Sequence, residues 1–443
     1  MSRLIVSNQL TAEIEAGEHA ITADYAKMLG LISHRMIWCA EPGDVVVLPT
    51  APDADFARQV WQHLGLSPEP VIVVPPAGER GDDLLYADRF GDPAFLDELR
   101  KLVDYHGIDQ LYPFYFDELA VRLTRELGLT AATPGFGFQG QGGHQIVNSK
   151  AFFRVLAAGL GVDVPDGRVA NDAAEAAEFA GELLAAGEVV IIKQDLHGGG
   201  FGNEILSPVP DLEALGADQI HHVPDEAALA TLLDNSWSRY SQQGRRRVVV
   251  EHYVQGSLPI YIEYLITDDA VQPVGSGEVR MKHTDTGSMM IGLVVPSPSA
   301  SLPAFPRFLD GAAQLGEALR SIGYRGSVSI DAIVTPTGDI LFNEINGRVG
   351  GSTHVHLLSE RIIGPDYLQT RTLVIRSWAQ WDSLPETLAA IAANGLAWDP
   401  ESRTGVLITG DDWQYVVVGT DLDSAAAAEI KLRELLRLDE TDD

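Results

Sequence analysis

The stretch that decides the fold is residues 331–354, DAIVTPTGDILFNEINGRVGGSTH. Residues 327–334 (SVSIDAIV) alternate polar and apolar side chains and are rich in β-branched residues, which is typical of a strand. Residues 335–339 (TPTGD) have the composition of a turn, and residues 340–345 (ILFNEI) resume the strand pattern. The sequence therefore predicts a β-hairpin in this stretch.

Polar side chains of this hairpin are predicted to share one face of the sheet. Asp331 and Glu344 lie on opposite arms, and Asn346 and Arg348 follow Glu344 in steps of two residues. Carboxylate and amide oxygens are hard ligands suited to magnesium, and a guanidinium binds phosphate. A buried pair of acids would repel each other without a cation. The pattern indicates a site for magnesium and a polyphosphate, and a self-contained salt-bridge network is the alternative.

The composition excludes several classes of protein. The chain has 443 residues, which suits two or three domains, and its 31 Lys and Arg against 63 Asp and Glu give a net charge of −32. This acidity argues against a nucleic-acid partner and is typical of a solvated surface, although it permits a cationic substrate. The single cysteine, Cys39, allows no disulfide framework, which favours the cytoplasm. No signal peptide and no long apolar run is present, so no membrane partner is expected, and a homodimer is compatible with the sequence.

Residues 1–143 alternate short apolar strands with helices. This alternation predicts βαβ units around a parallel sheet. No GxGxxG motif follows the first strand, so a dinucleotide site is not expected. Residues 134–143 (PGFGFQGQGG) contain six Gly or Pro residues, too many for a regular element, and mark a domain boundary. The strands are predicted at residues 4–6, 45–48, 71–74 and 110–114, and a helix is predicted at residues 22–38.

A glycine-rich loop follows a lysine in the middle of the chain. Lys193 ends a predicted strand (residues 189–192) and precedes residues 195–203 (DLHGGGFGN), which have four glycines within five positions. The backbone amides of such a loop can approach an anion closely, and the lysine supplies a point charge for phosphate. An ordinary glycine-rich hairpin tip is the alternative.

Two later segments complete the outline of the chain. Residues 275–292 (GSGEVRMKHTDTGSMMIG) are either a mobile loop that carries Arg280 and two further basic residues to a substrate, or a surface hairpin. Residues 367–378 are predicted to be helical. The remainder, residues 377–443, has two helical and two strand patterns and is predicted to form a small α+β appendage.

The order of these motifs resembles that of the ATP-grasp superfamily, over about residues 146–376. The resemblance implies an ATP-grasp fold for that segment, preceded by a parallel-sheet α/β pre-ATP-grasp domain (1–145) and followed by the α+β appendage (377–443). Within the superfamily, the chain is most similar to the pheganomycin-type peptide ligases, which join a carboxylic acid to the amine of a peptide. The motifs that carry the resemblance are NSK (148–150), KQDLHGGGFGN (193–203), EHYV (251–254) and NEINGRVGGSTH (343–354).

The resemblance implies a role for each motif. Asp331, Glu344 and Asn346 are expected to hold magnesium between the phosphates of ATP, and Arg348 is expected to stabilise phosphoryl transfer. ATP is expected to contact two lysines, the glycine loop and a hinge segment whose backbone reads the base edge. Glu251 of the hinge is expected to meet the exocyclic amine of adenine. The residues of this expected ATP site are Lys150, Lys193, Gly199, Gly200, Phe201, Gly202, Asn203, Glu251, His252, Tyr253 and Val254.

Two positions depart from the pattern of the superfamily. A ribose-binding acid that many members carry is replaced by Leu258, and Glu263 is expected to substitute for it. An arginine that many ligases carry two positions before the magnesium aspartate is replaced by Ser329. Arg280 is expected to fill this second gap, unless Arg348 acts alone.

The resemblance implies ligation that depends on ATP and Mg2+. The enzyme would activate a small-molecule carboxylic acid, expected to be a nonproteinogenic amino acid, as an acyl phosphate and couple it to the amine of a peptide or amino acid. Ser352, Thr353 and His354 are expected to line the acyl or acceptor pocket, with a turn that caps the next helix as the alternative. An ATP-dependent carboxylase and a non-catalytic nucleotide-binding protein of the same fold are the alternative functions.

Overall fold

The computed structural model describes residues 2–10, 22–197, 202–284 and 287–438, and these residues fold into three β-sheets flanked by helices. The sheets follow one another along the chain. No helix of the described residues is long and apolar enough to cross a membrane.

The first sheet is parallel, as the alternation of strands and helices predicts. Its described strands are β1 (Ser2–Val6), β2 (Val45–Val47), β3 (Val71–Val73) and β4 (Ile108–Pro113). They lie in the order β3-β2-β1-β4, and each neighbouring pair runs parallel. All three residues of β2 are fully buried, as expected for a central parallel strand. The helices of this region are α1 (Ala23–Ser33), α2 (Ala54–Leu64), α3 (Pro93–His106) and α4 (Glu118–Glu126).

Two details of this region differ from prediction. The first helix ends earlier than predicted and continues as a 3-10 helix, His34–Cys39. The prediction that the glycine-rich boundary holds no regular element is wrong, because it contains the short helices α5 (Phe136–Gln139) and the start of α6 (Gly143–Val147). Gly135 and Gly142 precede these helices with φ angles of +64° and +83°, so two of the glycines supply left-handed N-caps rather than a loop.

The second sheet carries the glycine-rich loop. Its described strands are β5 (Gly167–Ala170), β6 (Val190–Gln194), β7 (Asn203–Ser207), β8 (Gln219–His222) and β9 (Val248–His252). They lie in the order β5-β9-β6-β7-β8. Lys193 at the end of β6 pairs in register with Asn203 at the start of β7, so the loop joins two antiparallel neighbours. The associated helices are α7 (Lys150–Leu160), α8 (Ala173–Ala185) and α9 (Glu226–Tyr240).

The third sheet is antiparallel throughout its described strands. These are β10 (Leu258–Ile266), β11 (Val271–Thr284), β12 (Gly287–Val295), β13 (Gly326–Val334), β14 (Ile340–Asn346), β15 (Thr372–Arg376), β16 (Gly405–Gly410) and β17 (Gln414–Gly419). Their order is β14-β13-β10-β11-β12-β15-β17-β16. The associated helices are α10 (Phe305–Ser321), α11 (Thr353–Ile362), α12 (Tyr367–Thr370), α13 (Leu384–Ala393) and α14 (Leu422–Leu436).

The prediction of a helix at residues 367–378 is wrong for most of its length. The chain forms only the short α12 there and then enters β15, which pairs with β12 and β17. Leu373 and Ile375 are fully buried, and Val374 is only 3% exposed, so both faces of β15 are covered. A strand that is buried on both faces lacks the alternation that distinguishes it from a buried helix.

The C-terminal segment is α+β, as predicted, and its strands β16 and β17 extend the third sheet beyond β15. The segment also packs against the N-terminal region. The indole Nε1 of Trp38 donates to the carbonyl of Thr409 at 2.8 Å, and Arg35 pairs with the buried Asp412. Trp38 and Tyr415 belong to one buried apolar cluster. The C-terminal strands therefore connect the first region of the chain to the third sheet.

Candidate active site

The hairpin predicted from residues 327–345 is confirmed, and it is formed by β13 and β14. Asp331 pairs directly with Glu344, and Ser329 pairs with Asn346. The amide Nδ2 of Asn346 donates to Oδ2 of Asp331 at 2.8 Å and to Oε1 of Glu344 at 3.1 Å. The structure therefore brings the three predicted magnesium ligands into contact on one face of the sheet.

The two carboxylates of this cluster have opposite pKa shifts. Burial, and next the charge of Glu344, raise the pKa of Asp331 to about 7, although a hydrogen bond from Ser329 at 2.6 Å opposes the shift. Burial alone would raise the pKa of Glu344, but the charge of Lys150, a hydrogen bond from Asn346 and the charges of further cations outweigh it and lower that pKa to about 2. When both carboxylates are ionised, their negative charges repel each other. A bound divalent cation would relieve this repulsion.

The donor set of this cluster suits magnesium rather than zinc. Within the described ranges, no group of three or more His, Cys, Asp or Glu side chains is placed to hold a metal ion. Two carboxylates and an amide oxygen leave positions for phosphate oxygens and water, which is how magnesium is commonly held together with a nucleotide. The residues present therefore fit the predicted ion.

Both predicted phosphate lysines are buried and point toward the hairpin. Lys150 begins α7, and its Nζ lies 3.1 Å from Oε2 of Glu344 and also donates to the carbonyl of His197. Nζ of Lys193 donates to Oδ1 of Asn343 at 2.5 Å. Lysines from two distant parts of the chain thus converge on the strand that carries Glu344.

Glu251 has a different set of partners from the one predicted. Its carboxylate is 2.6 Å from Nη1 of Arg154 and also pairs with Nζ of Lys193. Because two cations engage this buried carboxylate, the geometry does not favour the predicted contact between Glu251 and the exocyclic amine of adenine. The ion pair with Glu251 instead positions Lys193. Arg154, which also pairs with Glu251, is a site residue that no sequence motif indicated.

The hinge segment lines a cavity of about 350 Å³ between the second and third sheets. His252, Tyr253 and Val254 all line it. The amide of His252 already donates to the carbonyl of Asp166 at 2.7 Å, so that group is not the one that would read a base. The hydroxyl of Tyr253 is hydrogen-bonded to the backbone amide and carbonyl of Leu215, at 3.0 Å each. These bonds fix the position of Leu215, which also lines the cavity.

The glycine-rich loop is described only at its end. The predicted contacts Gly199, Gly200 and Phe201 lie outside the described residues. Gly202 has a φ of +75°, and Asn203 lines the cavity and donates from Nδ2 to the carbonyl of Gly216 at 3.0 Å. The end of the loop therefore adjoins the cavity, as the predicted nucleotide contact requires.

Arg348 lies between the hairpin and the N-terminal region. Its Nη1 donates to Oδ1 of Asn148 at 3.0 Å and also to Oδ1 of Asn346. The guanidinium carbon lies 5.1 Å from the centroid of the Tyr115 ring, within range of a cation–π contact. Tyr115 was not indicated by any motif, whereas Asn148 belongs to the NSK motif. These contacts hold the arginine at the edge of the cavity that the hairpin lines.

Two segments of the chain match models of known domain families. Residues 33–129 match the Pre ATP-grasp domain, and residues 386–432 match the PGM1 C-terminal domain. The chain is 25% identical over 294 residues to L-propargylglycine--L-glutamate ligase of Streptantibioticus cattleyicolor. That alignment covers 62% of this chain and 54% of the relative, so the chain spans about half the length of the curated relative it matches.

Structural comparisons cover 98% of the chain. A biotin carboxylase–β-γ-ATP complex from Campylobacter jejuni matches with a TM-score of 0.58 at 12% identity over 90% of its length. An N5-carboxyaminoimidazole ribonucleotide synthetase from Thermus thermophilus matches with 0.56 at 14% identity over 98% of its length. The biotin carboxylase domain of the Hydrogenobacter thermophilus 2-oxoglutarate carboxylase, with MgADP and bicarbonate, matches with 0.57 at 15% identity over 89% of its length.

The chain has the ATP-grasp fold. The resemblance and the fold class predicted from the sequence are thereby confirmed, including the pre-ATP-grasp domain. Identities of 12–15% establish the fold alone, so the residue roles within this ATP-grasp site stay predictions.

The structure does not support the predicted role of Arg280 in the ATP-grasp site. Residues 271–295 form the hairpin of β11 and β12, the second of the two alternatives for this segment. Val279 and Met281 line the cavity, whereas Arg280 between them pairs with Glu429 of α14 at 2.7 Å. Since neighbouring strand residues point to opposite faces, Arg280 lies behind the sheet and cannot fill the gap left at Ser329.

The structure does not support the predicted ribose contact of Glu263 either. Glu263 is only 1% exposed and accepts hydrogen bonds from the hydroxyls of Ser352 at 2.7 Å and Thr353 at 2.5 Å. Of the three predicted substrate residues, Ser352 lines the cavity, while His354 is buried with its Nε2 2.6 Å from Oε1 of Gln414. Burial, and next the nearby Arg35, lower the pKa of His354 to about 3. Thr353 accepts a hydrogen bond from the amide of Gly350, and neither Thr353 nor His354 forms part of the described cavity wall.

Glu263→Gln should change how the stability of the protein depends on pH. Burial raises the pKa of Glu263 from its usual value of 4.5 to about 7. The folded state therefore favours the neutral carboxyl, and this contribution is complete below pH 4.5 and lost as the pH rises to about 7. We expect the variant to gain about 3 kcal/mol in the free energy of unfolding relative to the wild type between pH 4.5 and pH 8. Urea denaturation at several pH values measures this difference, and a difference independent of pH would contradict the assignment.

Proposed function

We propose that the protein is an ATP-dependent carboxylate–amine ligase that joins a carboxylic acid to the amine of a peptide or amino acid. The observation that carries the proposal is the convergence of the Asp331–Glu344–Asn346 cluster, Arg348 and Lys193 on one cavity of an ATP-grasp fold. The relative named L-propargylglycine--L-glutamate ligase supports an amino acid as the acid and another as the amine. The acid is proposed to be a nonproteinogenic amino acid.

The reaction explains why these residue types are needed. A carboxylate oxygen of the acid attacks the γ-phosphorus of ATP, and the bond from that phosphorus to the bridging oxygen breaks, which releases ADP and forms an acyl phosphate. The amine nitrogen then attacks the acyl carbon, phosphate departs, and the nitrogen loses a proton. Phosphoryl transfer requires charge neutralisation and in-line positioning more than a side-chain nucleophile. Lys150 and Lys193 would hold the phosphates, and Arg348 would stabilise the charge that develops on the transferring group.

Magnesium belongs to this proposal as the ion that neutralises the phosphates. Asp331 and Glu344 would hold it, because carboxylate oxygens are hard donors and the two carboxylates repel each other in its absence. Asn346 would contribute its Oδ1, which accepts a hydrogen bond from Arg348 in this structure. The same three side chains also keep each other in position through the two hydrogen bonds of Asn346. The amide Nδ2 therefore links the two carboxylates to each other.

Hydroxylamine trapping tests the proposal. The chain is incubated with ATP, magnesium, hydroxylamine and a panel of carboxylic acids, and acyl hydroxamates and ADP are measured by mass spectrometry and a coupled assay. We expect ADP release that depends on a particular acid and yields its hydroxamate, and loss of both in excess chelator. A second arm supplies bicarbonate without any other acid. ADP release stimulated only by bicarbonate would favour an ATP-dependent carboxylase, and no ADP release in any arm would favour a non-catalytic nucleotide-binding protein.

A further inference from the structure

One wall of the cavity is a continuous apolar patch on the β11–β12 hairpin. Val279 pairs with Leu293 and Met281 pairs with Met290, and all four side chains line the cavity. Directly paired residues of an antiparallel ladder share a face, so the two pairs form one surface. Val279 and Met290 also pack against the buried cluster that contains Leu293 and Tyr261. Contacts with the protein core therefore hold the side chains of the patch in place.

This apolar patch adjoins the loop that follows Arg348. A Cβ atom placed on Gly351 would lie 3.9 Å from Cε of Met290, so the methionine methyl faces this glycine. Gly351 precedes Ser352, and both line the cavity. The patch thus faces the end of the cavity where Arg348 would stabilise the transferring phosphoryl group, which is where the proposed acid must lie.

Tyr261 links the patch to the proposed metal ligands. It pairs in register with Asp331, one strand away from the carboxylates, and it lines the cavity. Its hydroxyl is 3.1 Å from Nε2 of the buried His356, so the polar end of the side chain is already engaged. Tyr261 therefore extends the apolar wall with its ring and brings it next to Asp331.

The patch offers no charged partner to a substrate. The charged side chains among the described cavity residues belong to the second sheet, to its hinge and to the β13–β14 hairpin with the arginine that follows it. A charged group placed against the methionines would lose water without gaining a partner, which is unfavourable by several kcal/mol. Methionine side chains are unbranched and flexible, so they adapt to apolar groups of different shape.

We infer that the acid activated by this ligase carries an uncharged, apolar side chain, which packs against Met281 and Met290 beside Gly351. The inference rests on the proposed ligase function and names the substrate class of that site. The glycine at position 351 leaves room for the side chain, since its added Cβ would meet Met290 only at ordinary contact distance. Met290 and Gly351 therefore set the size of the side chain that is accepted.

Side-chain preference is measured by hydroxamate formation with L-alanine, L-norvaline, L-norleucine, L-phenylalanine, L-glutamate and L-lysine. We expect the wild type to use at least one of the apolar acids with a kcat/KM about 10-fold or more above that for glutamate and lysine. Met290→Ala enlarges the pocket and should raise the ratio of kcat/KM for phenylalanine to kcat/KM for norvaline about 10-fold. Gly351→Val fills the pocket and should lower the ratio of kcat/KM for norleucine to kcat/KM for alanine by a similar factor.

Met289→Ala is the matched control, because Met289 is the neighbouring methionine and pairs with Lys282 on the other face of the hairpin. Ratios between acids within one variant do not depend on how much of that variant is folded. A preference for glutamate or lysine, or equal changes in the Met289 and Met290 variants, would overturn the inference and leave the ligase function standing. Failure of every acid to yield a hydroxamate would overturn both.

Discussion

Glu344→Gln should lower ATP turnover at least about 100-fold, because it removes one of the two carboxylate charges predicted to hold magnesium. The substitution conserves side-chain volume, and the new amide oxygen can still accept the hydrogen bond of Asn346. It removes the charged partner of Lys150, whose Nζ lies 3.1 Å from the carboxylate in the wild type, while the hydrogen bond of Lys150 to the carbonyl of His197 remains. Steady-state ADP release with saturating acid and amine measures the effect.

The control for this variant is Glu360→Gln, which changes the same residue type on the exposed side of α11. Thermal unfolding of both variants shows whether the glutamine at position 344 is tolerated. A folded Glu344→Gln protein with turnover within about threefold of the wild type would remove Glu344 from the metal and phosphate site. A metal ligand cannot be neutralised without a loss greater than that.

Lys193→Ala should weaken the binding of ATP and ADP about 10- to 100-fold, the range expected for the loss of a hydrogen bond between charged groups. Glu251 keeps its ion pair with Arg154 at 2.6 Å, so the substitution does not leave that buried carboxylate without a cation. Adenosine has no phosphates, and its affinity should therefore change little. Isothermal titration with the three ligands measures the difference.

Lys101→Ala is the matched control for this second variant, because Lys101 lies on α3 and is exposed. It changes the net charge by the same amount without touching the cavity. Equal losses of affinity for ATP and adenosine in Lys193→Ala would indicate that the variant damages the hinge through Glu251. Unchanged affinity for all three ligands would exclude Lys193 from the nucleotide site.

The parts of the site that sequence could predict are those that local spacing determines. The period of two along a strand placed Asp331, Glu344 and Asn346 together, and the register of β13 with β14 confirms that arrangement. The Asp331–Glu344 pairing also depends on a register shift between Asp331 and Ala332, because the register at the turn, which pairs Ala332 with Phe342, would otherwise place Asp331 opposite Asn343. Where spacing alone was insufficient, as for Lys150, the resemblance to a superfamily supplied the expectation.

The predictions that failed depended on what packs against a residue. Arg280 lies on a strand, but its face is decided by Glu429 on a helix about 150 positions later in the chain. Glu263 has the chemistry of a ribose ligand, yet hydroxyls of the turn before α11 engage it. Strand β15 has no alternation because both of its faces are covered.

The sequence by itself determined the hairpin, the predicted set of magnesium ligands and the ATP-grasp resemblance, because each follows from short-range periodicity or from motifs with their own chemistry. The tertiary structure alone decided which side chains face the cavity, including the pairing of Tyr261 with Asp331 and the approach of Met290 to Gly351. It also joined the C-terminal strands to the third sheet. These features depend on contacts between segments far apart in the chain, which no local pattern encodes.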